Sequence, residues 1–134
     1  MASPMRKVLV AGIRVDAKIP EQFRRQFGTP EEVGAKIGAD LANARQKGFD
    51  CTPYQLDPTR LEEQFASFEG ELSSGKYDAI MIGAGVRLVP EHTALFERMV
   101  DACRRLSPGV PFVFNSGPTT HCEALERAFA TGKN

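Results

Sequence analysis

The 134-residue chain has no tryptophan, only two histidines and three cysteines, and no excess of either charge. Each scarcity closes off a class of function. Two histidines and scattered carboxylates, at no ligand-like spacing, do not make a metal site. Cys51, Cys103 and Cys122 form no CxxC, and an odd, unpatterned set points to free thiols in a reducing compartment. Seventeen basic residues balance seventeen acidic ones, so no basic stripe is available to neutralise a row of phosphates, and nucleic acid is not an expected partner. The pairs Arg24-Arg25 and Arg104-Arg105 read as solvated faces. No apolar run approaches the roughly 20 residues that span a membrane. The first such run, KVLVAGI, is followed at once by Arg14 and Asp16, which is too short for a signal peptide. The expectation is a soluble cytoplasmic protein without a membrane partner.

Several signatures are also missing. There is no GxxxxGK[ST], which excludes a P-loop in its usual form. Gly83-Ala84-Gly85 supplies only the first two glycines of GxGxxG, and Phe114-Asn115 stands where an acidic ribose ligand would end the next strand. The first strand is followed by Arg14-Val15-Asp16 instead of a hydroxyl-rich loop for a flavin phosphate. Gly83 occupies the position where a receiver domain carries its phosphorylated aspartate, and there is no GxSxG. No cofactor is expected.

What is present reads as one domain over 1–134, with 42% apolar and 25% charged residues, a globular balance. Lys7 to Ile13 is a β-branched run ending near a glycine, as in a strand buried on both faces. The long connection 14–28 carries Ile19, Phe23 and Phe27 at helical spacing, so a short amphipathic helix is expected there, either covering one end of the core or acting as a lid. Thr29-Pro30-Glu31-Glu32 has a cap, a first-position proline and a capping-box glutamate, and Val33, Ile37, Leu41 and Ala44 mark the inner face of a helix ending at Lys47-Gly48. Phe49 to Leu56 is a strand interrupted by Pro53, which cannot donate to a ladder and so belongs on an edge. Helices follow at about 59–73, 90–106 and from Thr120 onward, and Tyr77–Ile82 and PFVFN supply the third and fourth strands. Regular strand–helix alternation with right-handed crossovers predicts a three-layer α/β sandwich: a four-stranded parallel sheet of order 2-1-3-4 with helices on both faces, flavodoxin-like or Rossmann-like.

In such a sheet, ligands bind beyond the carboxyl ends of the strands where the winding reverses, here between the first and third. The loops at that point bring Arg14 from one side and Gly83, Gly85 and Arg87 from the other. Paired guanidinium donors and backbone amides at glycines suit a phosphate or carboxylate, so a small anionic metabolite is the expected ligand. Asn115 and Ser116 end the fourth strand on the same rim and would orient the rest of it. His92 and His121 each begin a helix on that rim; His92 is the preferred acid–base candidate, although it shares an apolar stripe with Leu95, Phe96 and Met99. Cys122 lies three residues before Leu125 and reads as a buried structural thiol. The alternative is a ligand-free module that self-associates, as a homodimer, through its phenylalanine-bearing loop and an outer helix.

The run YDAIMIGAGVRLVPEH, followed by a helix and PFVFNSGP, resembles a set of small bacterial proteins of unknown function with a Rossmann-like or flavodoxin-like core. The resemblance covers roughly the second half of the chain and implies a fold without an assigned chemistry.

Overall fold

A computed structural model describes residues 5–130. The strands are β1 (Arg6–Ile13), β2 (Phe49–Leu56), β3 (Ala79–Ile82) and β4 (Phe112–Val113). The helices are α1 (Glu21–Phe27), α2 (Pro30–Gln46), α3 (Leu61–Ser73), α4 (Ala84–Arg87), α5 (Thr93–Leu106) and α6 (His121–Ala128), with short 3-10 turns leading into α3 and α5. All pairings are parallel and the order is β2-β1-β3-β4, as the alternation of elements predicts.

The alternation of side chains along each strand divides the core in two. Leu9 and Ala11 of β1, with Ile80 and Ile82 of β3, meet Phe65, Phe68 and Leu72 of α3 and Leu95 and Met99 of α5. Their neighbours Val8, Val10, Ala79 and Met81 face the other way, toward Ala44 of α2 and Ala124 and Leu125 of α6. Helices therefore cover both faces, and the architecture is the three-layer, flavodoxin-like and Rossmann-like one.

Local chemistry sets the boundaries. Thr29 Oγ1 accepts the Glu32 amide while the Glu32 carboxylate accepts the Thr29 amide, a reciprocal cap that starts α2. Gly48, at φ +97°, lets the chain leave α2 through a conformation that disfavours a side chain. Pro53 pairs opposite Val10 on the outermost strand, where its missing N–H has no ladder partner to disappoint.

Two strands are shorter than their apolar runs. Tyr77 and Asp78 precede β3, although Asp78 already exchanges bonds with Lys7 through its amide (2.7 Å) and its carboxylate (2.8 Å). β4 keeps two residues of the five in PFVFN, because beyond Val113 the chain turns away through Asn115 and Gly117. No helix among the described residues is long and apolar enough to cross a membrane.

Candidate functional site

A cavity of about 110 Å³ opens at the carboxyl ends of β1 and β3, the point where the winding reverses. Its walls are mostly hydrocarbon. Val15, Ala17, Ile19 and Phe27 come from the β1–α2 connection, Val33 and Ile37 from α2, and Gly83 to Gly85 from the end of β3. The expected short helix is α1, and its face is used as a cover: Phe27 lines the cavity and Phe23 stacks on Phe27 with ring centroids 6.2 Å apart.

Arg24 holds this cover in place. Its guanidinium donates to the carbonyls of Val15 (3.2 Å), Ala17 (3.0 Å) and Gly28 (3.2 Å), tying α1 back onto the loop that precedes it. The reading of Arg24-Arg25 as a solvated pair is thus corrected for Arg24; Arg25 is exposed and pairs with Glu21. Sequence pattern had no means of separating the two.

The two arginines expected to clamp one anion are engaged separately. Arg14 lines the cavity mouth, but its Nε and Nη2 donate to the two carboxylate oxygens of Asp16 at 3.0 and 2.9 Å. Arg87 is not among the lining residues. Its Nε donates to the Ile82 carbonyl at 2.7 Å and its Nη2 to the Asn115 carbonyl, fastening the end of β3 to the end of β4, while its guanidinium lies 4.8 Å over the Phe114 ring. Burial lowers its pKa from the usual arginine value. The glycines line the cavity as expected, yet the Gly83 amide donates to the Ala11 carbonyl (2.8 Å). The segment after β3 is a single helical turn of four residues, Ala84–Arg87.

His92 also lies outside the cavity lining. Its Nδ1 sits 3.1 Å from the Gly85 carbonyl, to which it donates, bracing the turn before α5 against α4. Ser116 is exposed and bonds Thr120. Asn115, by contrast, is buried and lines the cavity.

The buried polar group at the inner wall is His121. Its side chain is 4% exposed and that of its partner Asp40 is 9%. Asp40 Oδ2 accepts from His121 Nδ1 (3.0 Å) and from the backbone amides of His121 (2.5 Å) and Cys122 (3.4 Å). A carboxylate from the middle of α2 thereby caps α6. The Thr120 hydroxyl, at the residue before the helix, accepts instead from the Ser116 and Gly117 amides. On the opposite edge of the ring, Asn115 Nδ2 approaches His121 Nε2 at 3.3 Å and donates to the Gly117 carbonyl at 2.8 Å. Burial pushes the His121 pKa below its ordinary value, against the pull of the Asp40 hydrogen bond. The Asp40 carboxylate at one nitrogen and the Asn115 amide at the other fit a ring with its proton on Nδ1 and a lone pair on Nε2.

Asp40 was missed because it is a mid-helix aspartate with no motif around it. One signal was available: it falls three residues after Ile37 and seven after Val33, on the apolar stripe of α2. Cys122 is buried, as its position before Leu125 suggested, and burial raises its pKa, which argues against a reactive thiolate. Among the described residues no three His, Cys, Asp or Glu side chains gather as a metal would require. No protein-family model matches this chain, and no curated protein matches it in sequence.

Proposed function

We propose that the protein binds a small metabolite in the β1/β3 crevice, with its apolar body in the cavity and a carboxylate or phosphate at the mouth, where Arg14 stands. The observation that carries this reading is the hydrocarbon-walled cavity beneath the α1 cover, at the point where sheets of this winding hold ligands. The walls favour an apolar body over a highly charged one, because a multiply charged ligand would lose its hydration there without compensating partners. The charged end belongs at the rim, where the half-exposed Arg14 can exchange Asp16 for a ligand oxygen.

The alternative of a ligand-free module that self-associates through the same loop has less support, since Phe27 turns into the cavity and Phe23 packs on it. A thermal-shift screen of small carboxylated and phosphorylated compounds, each beside its neutral analogue, tests the reading. A compound at 100 times its dissociation constant adds about 2.7 kcal/mol to stability. Ile37→Trp, which narrows the cavity, should weaken every shift, and Arg14→Ala should remove only the advantage of the acids. A screen with no shifts, or shifts undiminished in Ile37→Trp, would rule the cavity out as the site.

A further inference from the structure

Four side chains from four separate segments form one hydrogen-bonded line, and its two middle members, Asn115 and His121, line the cavity. Arg87 Nη2 reaches Asn115 Oδ1 (3.4 Å), Asn115 Nδ2 reaches His121 Nε2 (3.3 Å), and His121 Nδ1 reaches Asp40 Oδ2 (3.0 Å). The line has a direction. Arginine can only donate, so Asn115 presents its oxygen to Arg87 and its amide hydrogens to Gly117 and His121. With that orientation Nε2 accepts and Nδ1 carries the proton, and Asp40, held by two α6 amides, favours the same tautomer, while the Pro118 carbonyl also stands beside the ring.

One link is slack. Asn115 to His121 is 3.3 Å, longer than the roughly 2.9–3.0 Å usual for such bonds, and Asn115 has a shorter partner in the Gly117 carbonyl at 2.8 Å. Both residues line the cavity. We infer that His121 reads a hydroxyl group on the ligand: the ligand O–H donates to Nε2 in place of the Asn115 amide, which keeps Gly117. This rests on the cavity being the ligand site and narrows the ligand class to small hydroxylated compounds, with an acid at the mouth and a hydroxyl at the inner end. The arrangement discriminates by direction. A hydroxyl can donate to the fixed lone pair, whereas a carbonyl in the same place would oppose it with another lone pair and leave it unpaired.

The test uses cyclopentanol and cyclopentanone, which share a ring and differ in donor capacity, titrated into protein with 15N-labelled histidine and backbone. Cyclopentanol should bind about tenfold more tightly than the ketone, the effect of roughly one hydrogen bond. It should move the His121 Nε2 resonance and leave Nδ1 protonated, and His121→Phe should make the two probes equal. Equal binding to the wild type, tighter ketone binding, or a preference that survives His121→Phe overturns the inference. If His121→Phe does not fold, the wild-type ring decides: binding of cyclopentanol with Nε2 unmoved overturns it as well. Those results leave the cavity standing as a site; absence of any amide shift at the cavity with either probe removes both readings together.

Discussion

The two faces of the sheet are built differently. Toward α3 and α5 the core is closed with large hydrocarbon: Phe68, Leu72, Ile80, Ile82 and Met99 are all fully buried, and Phe65 meets Phe68 with ring centroids 5.6 Å apart. Toward α2 and α6 the core mixes Phe49, Met81 and Leu125 with the smaller Val8, Ala44, Ala79 and Ala124, and the inner polar pair Asp40–His121 joins the two helices. Side chains that fill their space leave no room for a ligand. At the carboxyl ends of β1 and β3 on this side, the remaining volume is closed by α1 and by hydrogen bonds. Directional polar contacts then hold what packing holds on the other face, and they do so beside a cavity.

The largest effect expected from this contrast is in the closed face. Phe68→Ala should cost about 3–5 kcal/mol, read from urea unfolding, because Phe68 is fully enclosed and its neighbours cannot collapse into the space. Asp40→Ala should come next, at about 2–3 kcal/mol, since it removes a charged acceptor and leaves buried donors without a partner. Its signature differs from that of Phe68→Ala: amide exchange in α6 should accelerate selectively while α3 stays protected. Equal loosening of both helices would show that the polar pair is no more than another packing contact, and the contrast between faces would fail.

A smaller effect is expected from pH. Burial holds the folded-state pKa of His121 below its ordinary value of 6.5. The unfolded chain therefore takes up a proton at a higher pH than the native one. The stability that comes from a neutral His121 is complete above about pH 6.5 and falls as the pH drops from there through the depressed native pKa. Glu32, Asp57, Glu71 and Asp101 have lowered pKa values from their own hydrogen bonds, and their contributions are lost only in the more acidic range below the ordinary carboxylate values. Melting temperature measured from about pH 7.5 to pH 5 should fall in the wild type and stay flatter in His121→Phe. Equal slopes in both would place the titrating group elsewhere.

The fold was legible because its determinants are local or periodic. KVLVAGI could only be a buried strand, Thr29 to Glu32 spells a helix start that the reciprocal cap realises, and Pro53 marks an edge. From the strand order alone, the sheet's reversal point located the cavity. The chemistry of the site was not legible in the same way. Arg14 and Arg87 do flank strands that meet there, but where a guanidinium points depends on nearby acceptors that residue type does not reveal. Arg14 finds a carboxylate two residues away; Arg87 finds carbonyls freed where β3 and β4 end. Asp40 and His121 are 81 positions apart in the chain, and only the packing of α2 against α6 makes them a pair.

The smallest effect expected is at the rim, and its sign is the informative part. Arg14 and Asp16 are each about half exposed, with side-chain accessibilities of 52% and 55%, so solvent screens their ion pair and its loss should leave the melting temperature unchanged within scatter. Binding should respond even though stability does not. In the folded protein, Asp16 competes with any ligand acid for the two guanidinium donors that it now occupies. Asp16→Asn releases them without removing Arg14, so acids should bind a fewfold more tightly to this variant, most visibly at low salt, while their neutral analogues bind as before. Arg14→Ala should shift acids in the opposite direction. If Asp16→Asn weakens acids, Asp16 itself contacts the ligand and the charged end has been placed on the wrong side of the mouth. If neither substitution separates acids from neutral analogues, the cavity selects on shape and on its inner hydrogen bonds alone.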